Sequence, residues 1–214
     1  MPTFQTPQPI SVVIDVPCGD VTVIASGRTD SVVAIRPADT SSKADIRAAE
    51  QLRVEFADGT LTVVAPKKWK GFTPFGGNPT VSVTVEVPTG SALDATLAMG
   101  QLVSVGEFGR CDLEVSAGDI VVEHPSGSVS AKTAKGNIRV DEAARGVLRL
   151  ETSMGDLEVG IRAGSAARLE VNALHGSVHN RLDPVDEPQA AGESVQVFAR
   201  NLYGNVTVGH GTLV

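Results

Sequence analysis

The chain reads as all-β: a β-solenoid, or single-stranded β-helix, with one short helix in its N-terminal third. Three observations predict this. A glycine followed by a polar residue and then by two apolar residues one apart recurs eight times. Gly118-Asp119-Ile120-Val121-Val122, Gly136-Asn137-Ile138-Arg139-Val140 and Gly155-Asp156-Leu157-Glu158-Val159 show it best, with looser copies at Gly19, Gly59, Gly100, Gly176 and Gly204. The last six glycines are 18, 18, 19, 21 and 28 residues apart. Around these six, the positions seven and five residues before the glycine and two after it are apolar in every copy.

Apolar residues at a spacing of two mark short strands with one buried face, and glycine suits the corner between two of them. Two strands in about 18 residues fit a hairpin meander poorly. They fit one coil whose strands pair in parallel with their equivalents one coil away, at a strand separation of about 4.8 Å. An antiparallel sandwich is the alternative, but it does not require apolar positions locked in phase from unit to unit.

In chain order, the first strands are expected at Ser11–Val16, Val21–Ala25 and Val32–Arg36, with turns at Cys18–Asp20 and Gly27–Asp30. Residues 41 to 52 break the β pattern. Ser41 or Ser42 can cap a short helix running through Ala44, Ile46, Ala48, Ala49 and Leu52. Strands Arg53–Ala57 and Leu61–Ala65 follow around Asp58-Gly59, a hairpin signal. An irregular segment, Pro66 to Pro79, precedes the strand Val81–Val87. Residues 1–92 thus form an elaborated N-terminal β portion, and residues 93–214 hold the regular coils of the same continuous domain. One acidic insertion with two prolines, Leu182 to Ser194, is expected to protrude.

Stacking places Asp119, Asn137, Asp156, Ser177 and Asn205 in one column. Adjacent carboxylates would repel, but Asn137 separates the two aspartates, so the column reads as a hydrogen-bonded turn ladder in which Asx side chains satisfy local backbone groups. A calcium column would need nonapeptide glycine-aspartate repeats, which are missing.

Composition limits the functional classes. With 4% aromatic residues, small aliphatics must fill the interior. A net charge of −7 argues against nucleic acid as the ligand. No run approaches a membrane span, and Met1–Ile10 lacks the pattern of a secretory signal, so cytoplasmic residence is expected, or secretion if a leader has been removed. Cys111 falls at a core phase, where a buried thiol is expected.

The segment Lys67-Lys68-Trp69-Lys70-Gly71-Phe72-Thr73-Pro74-Phe75 stands out. It carries three of six lysines, the only tryptophan and two of six phenylalanines. Lys67, Lys68, Trp69, Lys70, Phe72 and Phe75 are candidate partner-binding residues, anchoring a protein partner or stacking on a sugar ring or nucleobase. The opposing reading is that the aromatics cap a flank of the solenoid. His175 and His179 lie four apart but across a glycine corner, and His124 and His210 fall at other phases, so no metal site is expected. Asp112, Glu114, Glu151 and Glu170 point outward with Lys132 and Arg149 nearby, alternating in sign from coil to coil. That is cross-strand charge pairing rather than a catalytic cluster. No nucleophile motif, phosphate loop or dinucleotide fingerprint appears, so neither enzyme activity nor a cofactor is expected.

The succession Ile14-Asp15-Val16-Pro17…Gly19-Asp20-Val21, then Val83-Thr84-Val85-Glu86-Val87-Pro88, then the glycine-Asp/Asn-aliphatic repeats, resembles a bacterial family common in actinobacteria. Its β-strand-repeat domains, of unknown function, carry the provisional label adhesin. The resemblance spans about Ile10 to Val208 and implies a right-handed β-helix-like fold without established enzymatic activity.

Solenoid ends expose strand edges that need covering. After Val206-Thr207-Val208 only His210-Gly211-Thr212-Leu213-Val214 remains, so the last coil is expected to be bare and covered by another subunit. Val206, Val208, Leu213 and Val214 are the self-association candidates. The expected function is a non-enzymatic scaffold or protein-interaction module that forms homo-oligomers. A carbohydrate-binding or adhesive module at the cell envelope is the alternative.

Overall fold

The computed structural model describes residues 1–66, 78–182 and 194–211. The predicted solenoid is present: parallel strands stack as coils, and their inward residues share one apolar core running from Ile10 to Val208.

The first coil is a single long strand, β2 (Ser11–Ser26), where two strands and a turn were expected. Up to Cys18 it pairs within one sheet, and from Gly19 within a second, so the corner bends the strand without ending it. The next coils are β7 (Ala92–Met99) with β8 (Leu102–Val105), β9 (Cys111–Ala117) with β10 (Ile120–Glu123), β11 (Val129–Lys135) with β12 (Ile138–Ala143), and β13 (Gly146–Met154) with β14 (Leu157–Ile161). Each strand pairs in parallel, in register, with its equivalent: Leu93 with Cys111, Cys111 with Val129, Val129 with Leu148, and Leu102 with Ile120.

Between the first and second coils, the chain makes a cover for the N-terminal end. It runs through β3 (Asp30–Pro37), α1 (Lys43–Gln51), β4 (Arg53–Ala57), β5 (Thr60–Val64) and β6 (Val81–Pro88). Strands β5 and β6 lie parallel to the two halves of β2, while β4 and β3 close over them antiparallel. A three-residue strand, β1 (Thr3–Gln5), pairs with β3. The helix starts where serine can cap it: the Asp45 amide donates to Ser42 Oγ at 3.3 Å. Its Ala48 is buried, as is Leu52 just beyond it, and it packs against β3 and β6. Asp58 and Gly59 both take positive φ, the requirement of a type I′ hairpin. Gly59 therefore belongs to a hairpin, and Gly19 is the true first corner, lying directly beneath Gly100.

The corner glycines stack so closely that no side chain fits. A Cβ on Gly118 would lie 1.8 Å from the Gly100 carbonyl oxygen, and Gly118 has φ +144°, which L side chains rarely adopt. Beside this column runs the Asx ladder, but its bonds reach the next coil rather than local groups. Asp119 Oδ1 accepts from the Asn137 amide at 2.7 Å, and Asn137 Oδ1 from the Asp156 amide at 2.8 Å. Asp156 Oδ1 accepts from the Asn205 amide at 2.7 Å, and Asn205 Oδ1 from the Ser177 amide at 3.1 Å. Asn137→Asp would make three consecutive carboxylates. Like charges raise their own pKa in the folded state, so the variant's deficit should be largest near pH 7 and shrink as pH falls through the carboxylate range. Urea midpoints at pH 7 and pH 4 test this; a deficit unchanged by pH would refute it.

Cys111 is buried at its core phase. Burial, aided by the Asp112 charge, pushes its thiol up to about 12 from 9.0. Its raised pKa contributes stability that is complete below pH 9.0 and lost as pH climbs towards 12. In a Cys18→Ser background, Cys111 should react with a thiol reagent at pH 8 only on unfolding; prompt labelling of the native protein would contradict its burial.

Candidate functional site

The remaining coils do not stack in chain order. Strands β15 (Ala166–His175) and β16 (Val178–Asn180) come first in sequence, and β17 (Ser194–Tyr203) and β18 (Val206–His210) come last. In space the last pair lies inside: β17 pairs with both β13 and β15, and β18 with both β14 and β16. The Gly176 coil is therefore the outermost one.

This corrects the expected self-association site. Val206 and Val208 are fully buried, clamped between two coils, and cannot form an open edge. Leu213 and Val214 lie outside the described residues, as do Lys67, Lys68, Trp69, Lys70, Phe72, Phe75 and most of the 182–194 insertion.

The open end belongs to β15 and β16 instead. Val178 occupies the same repeat phase as Val206, yet it is 48% exposed, because nothing among the described residues covers its outer side. Leu169, Val171 and Ala173, at or next to core phases, are only partly buried. The backbone is open too. At the Leu169 phase of earlier coils, the amides of Leu93 and Cys111 donate to Arg110 and Ser128 of the next coil, at 2.8 and 3.0 Å. Leu169 has no next coil among the described residues.

A ridge of exposed apolar side chains flanks this end, beside the glycine corners. Leu174 is 64% exposed and Tyr203 57%, with Leu202 and Met154 close to half. The rings of Tyr203 and His175 stack with centroids 4.8 Å apart. Of the seven exposed large hydrophobics among the described residues, five sit here. The signal was present in the sequence: two residues before the glycine, four coils carry Ala98, Ser116, Ala134 and Ser153, whereas the last two carry Leu202 and Leu174. A shallow pocket on the ridge is lined by Glu151, Asn172, Leu174, Arg200 and Leu202.

The outward charges alternate more regularly in space than in chain order. Glu114, Lys132, Glu151 and Arg200 are successive register neighbours, with Arg200 inserted between Glu151 and Asn172. His124 Nδ1 lies 2.9 Å from Glu142. Among the described residues, no three His, Cys, Asp or Glu side chains converge as a metal site would need. No described helix is long and apolar enough to cross a membrane.

Glycine-cornered coils, an elaborated cover at one end and an exposed edge at the other define a parallel β-solenoid. The chain belongs to the Toastrack DUF4097 family, whose model matches residues 102–209. No curated protein matches the sequence. Among crystal structures, it is similar to a candidate cell adhesion protein from Clostridium sporogenes ATCC 15579, at 12% identity over 98% of each chain and a TM-score of 0.55. It is also similar to a candidate adhesin from Bacteroides fragilis NCTC 9343, at 11% identity over 97% of this chain and 95% of the other, with a TM-score of 0.47. The first of these is a likeness of fold.

Proposed function

We propose that this protein is a non-enzymatic solenoid module that binds a protein partner through the open end formed by β15, β16 and the Leu174–Leu202–Tyr203 ridge. The observation that carries the reading is the concentration of exposed apolar side chains at an end where, among the described residues, backbone groups also lack a neighbouring coil. Such a patch, rimmed by Glu151 and Arg200, has the composition of a recognition surface. A rigid stack of coils holds it in place. The whole chain acts as one continuous unit, with the N-terminal cover serving to protect the opposite end.

An adhesive role at the cell envelope is the second reading, favoured by the cell adhesion description of the Clostridium sporogenes protein. Retention on cell-wall polysaccharide that Trp69→Ala abolishes would support it.

The first reading is tested with immobilised full-length protein as bait. Wild type should retain a saturable partner, whether a second copy or a foreign protein. A Leu174→Lys/Leu202→Lys variant should lose it while keeping the wild-type urea midpoint. Equal retention by both baits would sink the reading.

A further inference from the structure

The open edge is self-complementary. Strand β15 presents ten residues, Ala166-Ala167-Arg168-Leu169-Glu170-Val171-Asn172-Ala173-Leu174-His175, with no proline, no lysine and no inward charge. These are the devices that keep edge strands from pairing. The opposite edge of the same sheet is only β4, five residues long, and the other sheet ends at the three residues of β1 and of β16. Arg168 and Glu170 flank Leu169 on the outward face, are both exposed, and make no ion pair among the described residues.

We propose that two copies of this chain join through β15, edge to edge and antiparallel, about a two-fold axis passing through Leu169. This rests on the open end being the binding surface, and it names the partner. In that register Leu169 lies opposite Leu169 of the second copy, and Ala167 lies opposite Val171 of the second copy. Arg168 then faces Glu170 of the second copy, and by symmetry the same pair forms again. Directly opposite residues in antiparallel strands bring their Cβ atoms to about 5 Å, close enough for both ion pairs.

Neighbouring registers are disfavoured. Centring the axis on Arg168 sets Arg168 against Arg168, and centring it on Glu170 sets Glu170 against Glu170. A half-step shift places inward residues opposite outward ones and exposes the apolar face.

The backbone agrees with the chosen register. The amide and carbonyl of Leu169, at the phase whose amides reach the next coil elsewhere, face the open edge. By strand alternation those of Ala167 and Val171 do as well. Each Leu169 therefore donates its amide to the carbonyl of the other. Each Ala167 likewise pairs with Val171 of the second copy. Pairing covers the half-buried Leu169, Val171 and Ala173 and continues one sheet across both molecules.

Sedimentation velocity of the full chain over a dilution series is the test. Wild type should show a concentration-dependent dimer. Arg168→Glu and Glu170→Arg should each weaken it about tenfold or more, since two like-charge contacts replace two opposite ones. The Arg168→Glu/Glu170→Arg double variant should restore it. Ala167→Pro removes an edge-facing amide at an exposed position, where proline is tolerated in an edge strand, and should abolish the dimer while matching the wild-type urea midpoint at dilutions where wild type is itself monomeric. A wild-type monomer throughout, or a dimer indifferent to all these changes, overturns the proposal. A monomer whose bait still retains a foreign protein through the ridge overturns the dimer alone and leaves the proposed function standing.

Discussion

Gly118→Ala is expected to cost about 3 kcal/mol or more, combining a strained φ with a Cβ driven into a backbone carbonyl. The carbonyl of Gly100 lies 1.8 Å from where that Cβ must go, and it cannot rotate aside as a side chain would. Relief requires the coils to separate, which breaks the ladders on both sides of the corner. Gly136 and Gly155 stand in the same relation to Gly118 and Gly136, at 2.0 and 1.9 Å, so equivalent changes there should behave alike. Gly27→Ala is the contrast: nothing lies within 4 Å of its added Cβ, and its φ is unremarkable for an L residue. That variant should be neutral or gain up to about 1 kcal/mol from a less flexible unfolded chain. Urea denaturation followed by far-UV circular dichroism compares the two. A Gly118→Ala midpoint equal to wild type would mean that the coils are not in contact at their corners.

The second large effect separates spatial order from chain order. Val206→Asp should cost about 3–5 kcal/mol, because it places an unpaired carboxylate in a fully buried position between β14 and β16. Val178→Asp, at the same repeat phase but 48% exposed, should cost less than about 1 kcal/mol. If chain order governed the stack, the ranking would reverse, since Val206 would then line the open end. Hydrogen exchange adds a signature. In Val206→Asp the amides of both terminal coils should lose protection together while those around Ile120 and Ile138 keep theirs. Uniform loss across the molecule would argue against this division.

Much of the architecture was legible because each coil obeys one local rule. Fifteen of the eighteen aligned apolar positions are buried; the three exceptions, Leu169, Val171 and Val178, all belong to the outermost coil. The Ser42 cap and the Asp58-Gly59 hairpin were also readable, since both depend on residues adjacent in sequence. The order of the last two coils was not. The Gly176 and Gly204 units carry the same pattern, and a local pattern says that a coil forms without saying which neighbour it joins. Two hints existed. Glu151 finds an opposite charge in Arg200 but not in Asn172. Ser177 also suits the end of the Asx ladder, where no further amide needs an acceptor. The first β2 corner was misread for a different reason: pairing with both sheets lets a single strand bend through Gly19 without breaking.

The displaced coil also bears on how the molecule is made. During synthesis residues 166–180 emerge before residues 194–210, yet among the described residues their only strand partners lie in that later segment. Until residues 194–210 leave the ribosome, this part of the chain either waits unpaired or settles provisionally on the Gly155 coil and must be levered off. The C-terminal segment then works as a keystone, locking two turns of the stack at once. Pulse-labelled exchange during refolding should show amides of 166–175 and 194–203 becoming protected in the same late phase, after those of 111–123. Early, lasting protection of 166–175 alone would rule this order out.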